Sequence, residues 1–225
     1  MSDANHAIVF DAYGTLFDVH SVVDRCNQLF PGRGVELSQL WRSKQLEYSW
    51  LRTLMGRYEN FDTLTRDALH YACRVLQLNL SENDALGLLR EYRTLAPHAE
   101  VQASLLALRP AQLAILSNGT APMLHAVVEH AGLNRLFEQI ISVDDLKIFK
   151  PHPRVYQLAV ERLGVAKHNV VFVSSNFWDV AGATGFGFKT FWINRSGIQA
   201  DELGIEPAGV LRTLAELPAA VAAIS

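Results

Sequence analysis

Five short runs in the chain are apolar with little alternation. They are AIVF (7–10), LAILSNG (113–119), QIISV (139–143), VVFVSSN (170–176) and KTFWIN (189–194). Continuous apolar character marks strands covered on both faces, as in a parallel sheet. Between the later runs lie stretches with helical spacing. PMLHAVVEHAGL (122–133) closes on Gly132, and PRVYQLAVERLGV (153–165) opens on proline and closes near Gly164. Proline at the start and glycine past the end are helix punctuation. WDVAGATGFGF is rich in small residues and fit for close packing on a sheet. Alternation of strand and helix from residue 97 onward predicts a doubly wound, Rossmann-like parallel sheet.

Residues 18–95 follow another pattern. ELSQLWRSKQLEYSWLRTLM places Leu37, Leu40, Trp41, Leu46, Trp50, Leu51 and Leu54 at helical spacing, and two more helices follow. One of them begins at Ser81 with Asp84 three residues on, a variant of the capping box. The expected organisation is a core of residues 1–17 and 97–225, with an all-helical insertion at 18–96 after the first strand. An insertion there borders the C-terminal strand ends, where open α/β sheets bind ligands.

The 225 residues are 49% hydrophobic, enough for a real core. A net charge of −3 and the lack of a basic run argue against a nucleic-acid partner. No apolar stretch approaches the roughly 20 residues that span a bilayer, and the N-terminus does not read as a leader. Cys26 and Cys73 form no paired motif, which fits a reduced, cytoplasmic setting.

The strand ends carry the chemistry. The first ends in Asp11, with Tyr13 and Thr15 in the turn. The second ends in Ser117-Asn118-Gly119. Lys147 and Lys150 follow the third, and the fourth ends in Ser174-Ser175-Asn176 before Phe177-Trp178-Asp179. One such end is ordinary turn chemistry. Four at one sheet edge are a candidate site.

This series, DxxGT, then SNG, then KP, then an acid-bearing loop, resembles the haloacid dehalogenase superfamily. FDAYGTLFDVHSVVDRC, LWRSKQLEYSWLR, LAILSNG, KPHPRVY and FVSSNFWDVAGA are similar to its L-2-haloacid dehalogenases. The resemblance covers nearly the whole chain. It implies a Rossmann-like core with a helical cap. It also implies hydrolysis of short (S)-2-haloalkanoic acids to (R)-2-hydroxy acids through an aspartyl ester, without metal or organic cofactor, in a homodimer.

The roles it implies are specific. Asp11 would be the nucleophile, Thr15 its hydrogen-bond donor and Lys150 the cation beside it. Asp179 would pair with Lys150 and activate water, with Tyr156 in support and Ser174 and Asn176 shaping the water site. Arg42 would meet the substrate at the entrance. Asn118 and Trp178 would cradle halide, with Phe61 on its apolar side, and Ser117 and the backbone near Tyr13 would hold the substrate carboxylate. Phosphatases of the superfamily carry a general acid at position 13 to protonate an alkoxide. Halide needs no proton, so Tyr13 is consistent with carbon–halogen cleavage. Ser43 stands where glutamine is common, a change that bears on substrate size. Trp41, Tyr48, Trp50 and Leu54 offer outward faces for a dimer. A magnesium-dependent phosphate or phosphonate hydrolase and a non-catalytic anion-binding relative remain open alternatives.

Overall fold

The computed structural model describes residues 6–224; the reading of the extreme N-terminus falls largely on residues outside that range. The chain runs β1 (Ala7–Phe10), α1 (His20–Leu29), α2 (Gly34–Leu54), α3 (Phe61–Val75) and α4 (Glu82–Glu91). It continues through α5 (Val101–Ala107), β2 (Gln112–Ser117), α6 (Ala121–His130), β3 (Gln139–Ser142) and α7 (Pro153–Leu163). It ends with β4 (Val170–Ser174), α8 (Phe177–Phe186), β5 (Lys189–Ile193), β6 (Gly209–Leu211) and α9 (Leu217–Ile224).

The strands form one parallel sheet in the order β3-β2-β1-β4-β5-β6. The apolar strand β1 lies between β2 and β4, with Val9 level with Ala114 on one side and Phe172 on the other. All four of its residues are buried. Strand order reverses at β1, so its C-terminal end faces the crevice expected to hold a ligand. The five anticipated strands are present. A sixth, β6, pairs with the outer edge of β5; it is short and Val210 is 55% exposed, so no buried run announced it.

Helix ends follow local chemistry. Asn60, Ser81 and Thr120 cap α3, α4 and α6 by accepting N–H bonds from Thr63, Asp84 and Met123. Gly164 ends α7 in the left-handed region at φ +66°, its N–H donating to Val160.

The segment between β1 and α5 holds four helices, one more than expected. The extra helix, α1, has no side-chain cap and no acid in its first turn, so its start carried no signal. Trp41 is not on an outward face. It is fully buried and donates to the Thr65 carbonyl at 2.7 Å, while Leu54 is 83% exposed. The chain leaves and re-enters the sheet side at one place: Asp18 N–H donates to Ala96 O, and His98 N–H to Leu16 O.

Candidate active site

The site grows from the turn after β1. Leu16 and Phe17 N–H groups donate back to Ala12 O, which folds the backbone sharply. Gly14 sits at φ +85°, a conformation that favours glycine, and a Cβ there would lie 3.2 Å from Ser175 Oγ. The turn brings the Thr15 hydroxyl onto Asp11 Oδ2 at 3.0 Å.

The end of β4 and the loop after it supply two more donors. Ser174 Oγ lies 3.3 Å and Asn176 Nδ2 2.8 Å from the same Asp11 Oδ2. Asp11 Oδ1 instead receives Lys150 Nζ at 3.2 Å. The two carboxylate oxygens therefore differ. Oδ2 faces three neutral donors and Oδ1 faces one cation.

Lys150 is 1% exposed and also donates to Asp179 Oδ2 at 2.8 Å. Its backbone N–H donates to Asn118 Oδ1 at 3.0 Å, which ties the lysine loop to the end of β2. Burial alone would lower the lysine pKa; the two carboxylates outweigh it and move it up. Asp179, in the first turn of α8, is fully buried. Burial raises its pKa and Asp11 adds to the rise, while Lys150 and the Tyr156 hydroxyl lower it; the balance is about 6. Tyr156 donates to Asp179 Oδ1 at 2.8 Å. That hydroxyl is held protonated, first by burial and then by the nearby Asp179 charge.

The helical segment faces this cluster with aromatic rings. Tyr13 packs between Phe61 and Tyr92, with ring centroids 6.5 and 5.8 Å away, and its ring edge lies close over Gly119. The Tyr13 hydroxyl is buried without a hydrogen-bond partner among the described residues, and burial drives its pKa strongly upward. Trp178 meets Trp50 of α2 edge to face at 5.5 Å. Half-buried Arg42 lies near enough to Tyr13 and Tyr92 for its charge to oppose their upward shifts.

Asp11, Thr15, Lys150, Tyr156, Ser174, Asn176 and Asp179 thus form one bonded cluster. Ser117 and Asn118 sit buried at the end of β2, and Asn118 is joined to the cluster through Lys150. Arg42 makes no bond to Asp11. Its guanidinium donates to Gln45 Oε1 at 2.6 Å, rather than pairing with Glu47 or Asp24. Gln45 in turn reaches Thr65 Oγ1, and Thr65 the carbonyl of Phe61. Ser43 is exposed on α2, with no hydrogen bond or ion pair to the site. Gln45 and Ser175 were missed. Ser175 N–H donates to Thr15 Oγ1 at 2.8 Å, and its place in the SSN run beside two chosen residues was the available signal.

Two buried carboxylates bridged by one ammonium, at the ligand edge of a parallel sheet, mark the catalytic centre of an enzyme built on an α/β fold. Residues 6–187 match the haloacid dehalogenase-like hydrolase family, and the chain belongs to that family. It is 54% identical over 202 residues to the (S)-2-haloacid dehalogenase of Pseudomonas sp. (strain YL), covering 89% of this chain and 87% of the relative. It is 50% identical over 203 residues to haloacetate dehalogenase H-2 of Moraxella sp. (strain B), covering 89% and 91%. Among solved structures, the L-2-haloacid dehalogenase of Xanthobacter autotrophicus with chloropropionic acid covalently bound superposes with a TM-score of 0.93. That match has 42% identity and covers 98% of this chain and 99% of the other.

Proposed function

We propose that the chain hydrolyses the carbon–halogen bond of short (S)-2-haloalkanoic acids, giving (R)-2-hydroxy acids through an ester on Asp11. The observation that carries this reading is the unequal solvation of the two Asp11 oxygens.

Oδ1, whose partner among the described residues is Lys150, is the attacking atom. It forms a bond to C2 from the side opposite the halogen as the carbon–halogen bond breaks. Halide leaves with the electron pair, and C2 inverts. Oδ2 then becomes the ester carbonyl oxygen. Water adds to the ester carbonyl carbon of Asp11 and passes its proton to Asp179. The negative charge that develops on Oδ2 meets the donors of Thr15, Ser174 and Asn176, already in place. Collapse breaks the bond between the Asp11 carbonyl carbon and Oδ1, which leaves as the alkoxide of the hydroxy acid and takes the proton back from Asp179. The water oxygen replaces it in the Asp11 carboxylate, and its remaining proton passes to solvent.

The other residues bind. Ser117 and the backbone near Tyr13 take the substrate carboxylate, with Arg42 at the entrance. Asn118, Trp178 and Phe61 receive the halide. Asn118 fits that role because its oxygen is committed to Lys150 N–H, which leaves its NH2 group without a partner among the described residues. Lys150 supplies the positive charge between Asp11 and Asp179, so the reaction is assigned no metal and no organic cofactor.

The expected test outcome is chloride release from (S)-2-chloropropionate in EDTA, with none from the Asp11→Asn variant. Activity lost in EDTA and restored by Mg²⁺ would overturn the metal-free mechanism. Binding without chloride release would overturn catalysis itself.

Three further readings belong to this proposal. Residues 18–96 form a cap over a core of 1–17 and 97–225, supported by the two crossing segments, which meet through the Asp18–Ala96 and Leu16–His98 backbone hydrogen bonds. A homodimer is supported by exposed Leu51, Leu54 and Met55 at the end of α2, and sedimentation would measure it. A cytoplasmic setting is supported by two free, buried cysteines; no helix among the described residues is long and apolar enough to cross a membrane.

A further inference from the structure

The turn that carries Asp11 and Thr15 is gripped from behind by residues outside the motif series. Arg195, in the loop after β5, donates through Nη1 to the Gly14 carbonyl at 3.1 Å and through Nη2 to the Thr15 carbonyl at 3.0 Å. The other edge of its guanidinium is fixed by Glu100 Oε1, 2.8 Å from Nη2 and 3.2 Å from Nε. Glu100 precedes α5, and its Oε1 also accepts Leu214 N–H at 3.4 Å. His98 Nε2 lies 3.3 Å from the same Gly14 carbonyl.

This arrangement is more than a surface ion pair. The pair is mostly shielded, each side chain being 22% exposed. Burial raises the Glu100 pKa, yet the Arg195 bond and charge outweigh it and bring the value to about 2. The carboxylate aims the guanidinium, and a planar fork then fixes two successive carbonyls. Those carbonyls belong to Gly14, whose φ is +85°, and to Thr15, whose hydroxyl bonds Asp11.

We propose that Arg195, aimed by Glu100, is a positioning residue that holds the Gly14–Thr15 turn so that Asp11 presents Oδ1 in line with the carbon–halogen bond. The proposal rests on Asp11 being the nucleophile. Arg195 touches no reacting atom; it acts through backbone carbonyls. Its loss lets the turn relax, and a displacement of about 1 Å at a nucleophile costs up to roughly 100-fold in rate.

The test is rapid-quench measurement of chloride release from (S)-2-chloropropionate in a single turnover, with enzyme in excess. Arg195→Gln is expected to lower the first-turnover rate constant by about 10- to 100-fold, while the enzyme concentration that gives half the maximal rate changes little. Arg195→Lys, which keeps the charge and one donor direction, is expected to recover part of the loss. A purely structural role would instead lower melting temperature and the reactive fraction, leaving the rate constant of the folded fraction intact; that result overturns the proposal. Should Arg195→Gln not fold, Glu100→Gln makes the same test, because it keeps the guanidinium and removes the charge that aims it. A slowed first turnover is expected there, and an unchanged one overturns the proposal. A wild-type enzyme with no chloride release overturns the dehalogenase reading and this inference together. A normal wild-type turnover matched by both variants overturns this inference alone.

Discussion

Replacing Lys150 with methionine removes the single charge that Asp11 and Asp179 share. The chain length is nearly preserved, so packing against Phe172, over whose ring the ammonium lies at 5.1 Å, is largely kept. The electrostatic loss is large. At 3.2 and 2.8 Å, each contact is worth about 5–6 kcal/mol of direct attraction at an effective dielectric of about 20. Desolvation of the buried ammonium offsets much of that. The net cost of breaking such a pair, leaving charges buried without a partner, is about 3–5 kcal/mol.

The sign of the pH dependence follows from Asp179. Lys150 pulls its pKa down to about 6, so removing the lysine moves the folded value above 6. The unfolded value stays near an ordinary carboxylate, about 3.9. A raised folded pKa means stability fully present below the unfolded value and lost as pH rises through the folded one. Lys150→Met is therefore closest to wild type at the acid end, and its deficit grows with pH and levels off past the new pKa. Urea unfolding of both proteins at pH 5 and pH 8 measures this. A deficit under about 1 kcal/mol at both values would show that the ammonium does not hold the two carboxylates together. Chloride release should be lost in the same variant.

Two other outcomes are expected. Once Asp11 is esterified its charge no longer raises the Asp179 pKa, so the acid limb for release of the hydroxy acid should lie below pH 6, where Asp179 protonates and ceases to act as base. Single-turnover product release against pH would show it, and a limb above 6 would remove Asp179 as the base. Gly14→Ala should cost about 1–2 kcal/mol for the left-handed backbone alone, with a further penalty from the 3.2 Å approach to Ser175 Oγ. A melting temperature equal to wild type would show that the turn tolerates a side chain.

The central strands were legible because burial on both faces leaves no alternation to misread. β1 is AIVF with every residue buried, and β4 is VVFVS likewise. β6 is an edge of three residues with an intermediate–exposed–intermediate pattern, so hydrophobicity had nothing to mark. The same logic divides the site. Asp11, Ser117 and Ser174 close buried strands, and a polar group after an apolar run is visible in one dimension. Arg195 donates to the Gly14 carbonyl from 181 residues along the chain, and the Glu100 that aims it lies 95 residues from Arg195, so no local pattern encodes the arrangement. Trp41 shows the remaining limit. Helical spacing groups apolar residues on a face, but only tertiary packing decides that this face turns inward onto Thr65.

Charge accounting through the proposed cycle explains why one lysine and no acid at position 13 suffice. At rest, Lys150 stands between two carboxylates, a local excess of one negative charge. Ester formation sends that charge away on the halide, which needs no proton to leave. What remains is a neutral Lys150–Asp179 pair. When water adds, Asp179 takes the proton, and negative charge reappears on Asp11 Oδ2, among three donors already placed around it. The ammonium is therefore never without a counter-charge, and nothing in its surroundings has to move to provide one. An acid at position 13 would offer a proton that no step of halide departure uses. In its place Tyr13 contributes a buried ring packed on Phe61 and Tyr92.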